Sequence, residues 1–250
     1  MLSKCDFSLR HYFEVLNNVK DNYDYIGPFT DLHTCKKKDS FIVLRHDVDI
    51  SLGHALKIAQ LESDYDIHST FFILLHSPFY NALTKKNVEI ISKISSLGHE
   101  IGLHYDTDFL SKSLKNAHQQ IKYEASILGS ITGKQIVSVT QHNTTTTAKL
   151  NSKIVSGFLD AMHNVLTKNA VYISDSVQNW RKGCMCNHVG KIPKLQILTH
   201  PIWWQEVPTP LHVILKNMKE NCKSEIDSEF KSLDNLYQNY FSHIKNNPNQ

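Results

Sequence analysis

No stretch of this 250-residue chain is apolar for long enough to cross a bilayer, so no membrane span is expected. The first residues carry Asp6, Arg10 and Glu14 instead of a continuous apolar segment. No secretory signal is therefore expected, and a cytoplasmic location is the expectation. The five cysteines (Cys5, Cys35, Cys184, Cys186, Cys222) are odd in number and form no disulfide framework, which fits a reducing compartment. Charge of one sign is also scarce. The net charge is +3, and Lys36-Lys37-Lys38, the densest basic cluster, reads as the solvated edge of a loop. That argues against a nucleic-acid partner. The chain has no phosphate-binding loop, no Gly-rich dinucleotide fingerprint and no Gly-x-Ser-x-Gly elbow. These absences count against kinases, Rossmann oxidoreductases and serine hydrolases. Cys184-Met185-Cys186-Asn187-His188 has no fourth metal partner nearby in sequence and reads as a loop.

What is present is a 41% apolar share, enough for a sizeable core, and an alternation of strand and helix patterns. Strands are expected at 41–47, 70–75, 100–104 and 136–141, a less distinct one at 158–165, and two more at 171–174 and 195–199. Between them, Leu52, Ala55, Leu56 and Ala59 recur at helical spacing, as do Val88, Ile91, Ile94 and Leu97, with Gly98 as a helix stop. A long helix is expected over 109–128. Alternation of this kind predicts parallel βαβ units. The expected organisation is an N-terminal helix and loop over 1–40, one barrel-like α/β domain over 41–207, and a helical tail over 208–250. A doubly wound open sheet is the alternative.

The strand ends hold the chemistry, as the carboxyl ends of barrel strands do. Asp47 and Asp49, two apart, fall on one side of their strand. Two close carboxylates repel unless a cation sits beside them, so one is expected to ligate a divalent metal and the other to act as base. The rival reading is that Asp49 or Ser51 caps the next helix. His104 follows Gly102 at another strand end, with Asp106 and Asp108 just beyond. His142 is read as a metal ligand, a substrate contact or a loop histidine. His99 is read as structural. His200 sits beside Trp203 and Trp204, which suits a general acid at the edge of a sugar site, or two tryptophans that cover the barrel end. Asp175 with Trp180 and Arg181 is expected to orient a catalytic group, and Arg45 or Arg181 to pair with Asp47.

At these residues the chain resembles the polysaccharide deacetylase family, the NodB-homology or carbohydrate esterase 4 group. The resemblance rests on Arg45-His46-Asp47-Val48-Asp49, Ser69-Thr70-Phe71-Phe72, Gly98 to His104, Ser174-Asp175-Ser176 with Trp180-Arg181, and Leu198-Thr199-His200-Pro201, in that order. The opening Arg-His-Asp-Val-Asp places it nearest one branch of that family. The resemblance implies a distorted (β/α)7 barrel, a divalent metal with zinc foremost, Asp47 as base, Asp49 and His104 as ligands, and His200 as general acid. The family's second motif supplies a further His where this chain has Asp108, and Gln141-His142-Asn143 replaces its Arg-containing third motif. The expected ligand set is accordingly Asp49, His104 and His142, with Asp108 and then Asp106 next in line. Arg45, Asp175, Trp180, Arg181 and Trp203 are expected to orient groups or touch substrate. The implied activity is removal of an N-acetyl group from an amino sugar of a cytoplasmic glycan precursor. Another amide or imide hydrolase on the same barrel, or an inactive carbohydrate-binding member, are the rivals.

Overall fold

The computed structural model describes residues 5–35, 37–142, 152–162 and 170–246. Lys36, Asn143 and the Thr144–Thr147 loop lie outside them, as does the end of the strand expected at 158–165. By its internal contacts the chain divides after Pro208.

The first unit is built on parallel strands only. They are β1 (Ile26–Gly27), β2 (Phe41–Val48), β3 (Thr70–Leu74), β4 (Glu100–Tyr105), β5 (Ser138–Gln141), β6 (Leu159–Asp160), β7 (Val171–Ser174) and β8 (Lys194–Thr199). Their order is β6-β5-β4-β3-β2-β8-β7, with β1 beside the start of β2. Among the described residues β6 and β7 do not pair, so the seven-strand path is an open, distorted (β/α)7 barrel. The helices α1 (Leu9–Asn22), α2 (Leu32–Cys35), α3 (Leu52–Asp64), α4 (Lys85–Ser96) and α5 (Leu114–Thr132) belong to the same unit.

Every residue of β2 is buried, as a strand covered on both faces requires. Its alternation sorts two kinds of chemistry. Phe41 and Val43 join Phe29 and Phe72 in an apolar cluster, and Arg45 and Asp47 follow on the same side of the strand. His46 points the other way, toward Glu62 of α3 and Tyr12 of α1. Gly102 is there for packing: a Cβ would lie 2.5 Å from the Phe72 ring and 2.7 Å from Ser138 Oγ. Gly98 follows α4 with φ 95°, a conformation that suits glycine.

Three boundaries differ from expectation. Ile26–Gly27, within the segment expected as helix and loop, is a short strand, because its backbone finds the edge of β2. Asp106 accepts from the Asp108 N–H and starts a 3-10 turn at Thr107, so α5 begins at Leu114 instead of 109. The segment at 158–165 contributes only Leu159–Asp160, followed by a turn.

The second unit, by itself, is one helix, α6 (Leu211–Asn246). Ile226, Phe230, Leu233, Tyr237 and Tyr240 alternate at four- and three-residue spacing along it and are exposed. Among the described residues no helix is long and apolar enough to cross a membrane.

Candidate active site

The strand ends converge. Asp49 follows β2 and is braced through its backbone: Tyr80 Oη donates to Val48 O at 2.6 Å and Ser77 Oγ to Asp49 O at 2.7 Å. Ser51, not Asp49, caps α3 by accepting from the His54 N–H, which leaves the Asp49 carboxylate to the site. His104 closes β4 and His142 extends β5, where its N–H donates to Tyr105 O at 2.8 Å. Ligand atoms of Asp49, His104 and His142 all lie within 4.8 Å of one another.

The hydrogen bonds around this trio set its chemistry. His104 faces Thr140 O with Nδ1 at 3.1 Å. A carbonyl only accepts, so Nδ1 carries the proton and the Nε2 of a neutral ring presents its lone pair. That Nε2 lies 3.2 Å from Asp49 Oδ1 and 3.7 Å from Asp47 Oδ2. Asp49 Oδ1 and His142 Nδ1 are buried atoms without a hydrogen-bond partner of acceptable geometry. Burial pushes the Asp49 carboxyl up, but His104, then His200 and His142, outweigh it and hold it well below the usual range. One orphaned carboxylate oxygen, one orphaned imidazole nitrogen and a second imidazole with its lone pair presented fit a divalent cation. Asp106 Oδ2 lies 3.4 Å from that same His142 Nδ1, which keeps Asp106 next in line as a ligand. Asp108 is exposed and outside the cluster.

Two charge pairs flank the trio. Arg45, 1% exposed, forks onto Asp47: Nη2 reaches Oδ2 at 2.6 Å and Oδ1 at 2.9 Å, and Nε reaches Oδ1 at 3.2 Å. The guanidinium also lies over the Phe72 ring. Arg181 is exposed, so Arg45 is the arginine that fixes Asp47. On the other side, Asp175 is fully buried and accepts from His200 Nδ1 at 2.7 Å, the His200 backbone N–H at 2.9 Å and Trp204 Nε1 at 3.0 Å. Burial pushes the Asp175 carboxyl above its ordinary range, and the His200 and Trp204 donors oppose that shift. Burial alone lowers the His200 pKa, but Asp175 and then Asp49 and Asp47 push it up to about 9. Its Nε2 faces Asp49 Oδ2 at 3.7 Å. The turn after Asp175 is strained: β-branched Val177 has φ 54°.

The remaining expected residues fall elsewhere. Trp203 is 6% exposed and Trp204 1% exposed, so both close the barrel end and neither offers a stacking face. Trp180 stacks on Phe7 instead of orienting a catalytic group. His99 is structural: it accepts from the Ser69 N–H and donates from Nε2 to Ala59 O at 2.9 Å. Sequence reasoning missed Trp204 as the third donor to Asp175 and Thr140 O as the anchor of the His104 ring. Neither leaves a local signal, since each contact joins segments far apart in the sequence.

The pair on His200 makes a pH prediction. If His200 delivers a proton, the active form is present below its pKa and lost as the pH rises through it. A bound dication would lower that raised pKa, so the alkaline limb of kcat/KM lies at or below about 9. Asp175→Asn removes the anion that raises the pKa. The limb then moves to lower pH, and a limb left in place shows that Asp175 does not tune His200.

No family model matches the chain, and no curated protein matches it. Solved structures do. A CE4 family pseudoenzyme from Bacillus anthracis is 14% identical, with 73% of this chain and 62% of that chain covered and a TM-score of 0.49. The peptidoglycan deacetylase PdaC from Bacillus subtilis is 19% identical over 80% of this chain and 98% of that one, with a TM-score of 0.48. A family 4 carbohydrate esterase from Streptomyces lividans in complex with acetate is 12% identical over 75% and 90%, with a TM-score of 0.48. The chain spans less than two thirds of the pseudoenzyme's length.

Proposed function

We propose that this chain is a metal-dependent hydrolase that removes the acetyl group from an N-acetylated amino sugar. The observation that carries the reading is the convergence of Asp49, His104 and His142, with two orphaned ligand atoms, between the Arg45–Asp47 and Asp175–His200 pairs. Asp49, His104 and His142 would hold a divalent cation, zinc foremost, which supplies Lewis acidity toward an amide carbonyl and toward water. Asp47, fixed by Arg45, takes a proton from the attacking water. His200 gives its Nε2 proton to the departing amine nitrogen while Asp175 holds the ring from behind. Amide and water leave as acetate and free amine.

A cavity of about 620 Å³ between the loop after β3, the turn after β4 and α5 is lined by His76, Phe109, Tyr123 and Glu124, and includes no residue of the candidate site. His76 stacks on one face of Phe109, so the cavity does not bear on the choice of substrate. A glycan precursor as substrate and a cytoplasmic site of action belong to the same proposal. Deacetylation of chitin-like oligomers, with sugar nucleotides untouched, overturns that part.

Metal content tests the ligand set. Elemental analysis of His104→Ala and His142→Ala is expected to show about one equivalent less metal per chain than wild type in each. Loss in His104→Ala alone moves the third ligand to Asp106. Equal metal in all three proteins removes the site.

A further inference from the structure

Cys184-Met185-Cys186 lacks further ligands nearby in sequence, and His188 is engaged elsewhere, with Nε2 2.8 Å from Lys182 O. The fold brings other ligands to it. Cys5, from the N-terminal segment, and His11, from the first turn of α1, meet Cys184 with all three ligand atoms within 4.8 Å of one another. His11 is 0% exposed and its Nε2 lies 3.4 Å from Cys184 Sγ. Zinc with bonds of about 2.3 Å to sulfur and 2.0–2.1 Å to nitrogen sets a tetrahedral S···N edge of about 3.6 Å. On the far side of the ring, His11 Nδ1 lies 3.8 Å from Glu14 Oε2, the place where a ligating histidine commonly has a carboxylate. Cys186 lies two residues from Cys184 in the same loop, with its Sγ 3.8 Å from Asn187 Oδ1 and outside the three-residue cluster.

The N-terminal segment is held in this position. Phe7 has φ 57°, the Gln205 N–H donates to Phe7 O at 2.9 Å, and the Leu9 N–H donates to Gln205 O at 2.7 Å. Ser8 caps α1 and so sets where His11 points.

We propose that Cys5, His11 and Cys184 hold a structural zinc ion that pins the N-terminal segment to the loop between β7 and β8, with Cys186 of the same loop taking the fourth position once the ion is bound. Three sulfurs and one imidazole are a closed structural donor set, unlike the carboxylate and two histidines at the strand ends. The two sites share no residue, so either stands without the other.

Cobalt(II) distinguishes them, because only this site gives a thiolate-to-cobalt charge-transfer absorption. The full chain loaded with cobalt is expected to show that band. Cys184→Ser and Cys5→Ser lose it, Cys186→Ser weakens it, and His104→Ala keeps it. Each of the first two variants also carries about one zinc less per chain than wild type. The wild-type spectrum needs no variant, so a Cys184→Ser chain that fails to fold leaves the test intact. Absence of the band in cobalt-loaded wild type overturns the site. So does a band unchanged in Cys5→Ser, or a Cys5–Cys184 disulfide in the unreduced protein.

Discussion

Asp47→Asn is expected to lower kcat by about 10²–10⁴-fold, the usual contribution of a positioned general base, while the protein keeps its metal. Asn preserves the shape and one oxygen for the Arg45 fork, but it cannot take a proton. Asp47 is 5% exposed and fixed by three guanidinium contacts, so the substitution removes one function from a carboxylate already held in place. Part of any loss could come from the buried Arg45 charge left with a weaker partner. Thermal unfolding of the same preparation separates the two: lost turnover with a native-like Tm belongs to the base. Wild-type turnover in a folded, metal-bearing Asp47→Asn chain would show that another group takes the proton.

Glu62→Ala is expected to cost stability instead of chemistry, by roughly 3–5 kcal/mol, as when one partner of a buried ionic network is removed. Glu62 is fully buried and accepts from Tyr12 Oη, from Ser69 Oγ at 2.6 Å and from His46 Nε2 at 2.9 Å, with His99 Nδ1 at 3.7 Å. The network joins α1, α3 and β2 behind the strand that carries Asp47 and leads into Asp49. For a chain of this size the corresponding fall in Tm is roughly 6–20 °C. The network also has a pH signature. Burial pushes Glu62 up, but His46, then His99 and Ser69, bring it below its ordinary value of 4.5. A depressed carboxyl stabilises the fold above its unfolded pKa, and that contribution is lost as the pH falls through and below about 4.5. Glu62→Ala should flatten the acid side of the stability curve. A Tm equal to wild type would mean that the network contributes nothing net.

Much of the site was legible because its residues interrupt apolar strands. A carboxylate or imidazole that ends a run such as Phe41-Ile42-Val43-Leu44 is costly to bury without a partner, and period-two alternation says which pair shares a face. Asp47 and Asp49 on one side of β2 follow from that alone, and so does His46 on the other. Local chemistry decided less visible points. Ser51 took the capping role that left Asp49 to the site, and Asp106, held by a backbone N–H, lies beside His142 while Asp108 turns outward.

What the sequence hid lies between elements distant in the chain. Arg45 and Arg181 are equivalent candidates on paper, and only folding puts the former on Asp47. Trp203 and Trp204 carry the same side chain, yet it is Trp204 that donates to Asp175. The Cys184 loop reads as a poor metal motif because its companions, Cys5 and His11, come from the other end of the chain.

The most direct test of the central claim is acetate release from N-acetylated amino-sugar substrates, oligomers and sugar nucleotides together, before and after chelation and zinc return. The account predicts acetate and free amine in equal amounts, loss of both on chelation, and recovery with zinc. A folded, zinc-loaded chain that binds these sugars and releases no acetate would contradict it, as would release that chelation leaves untouched.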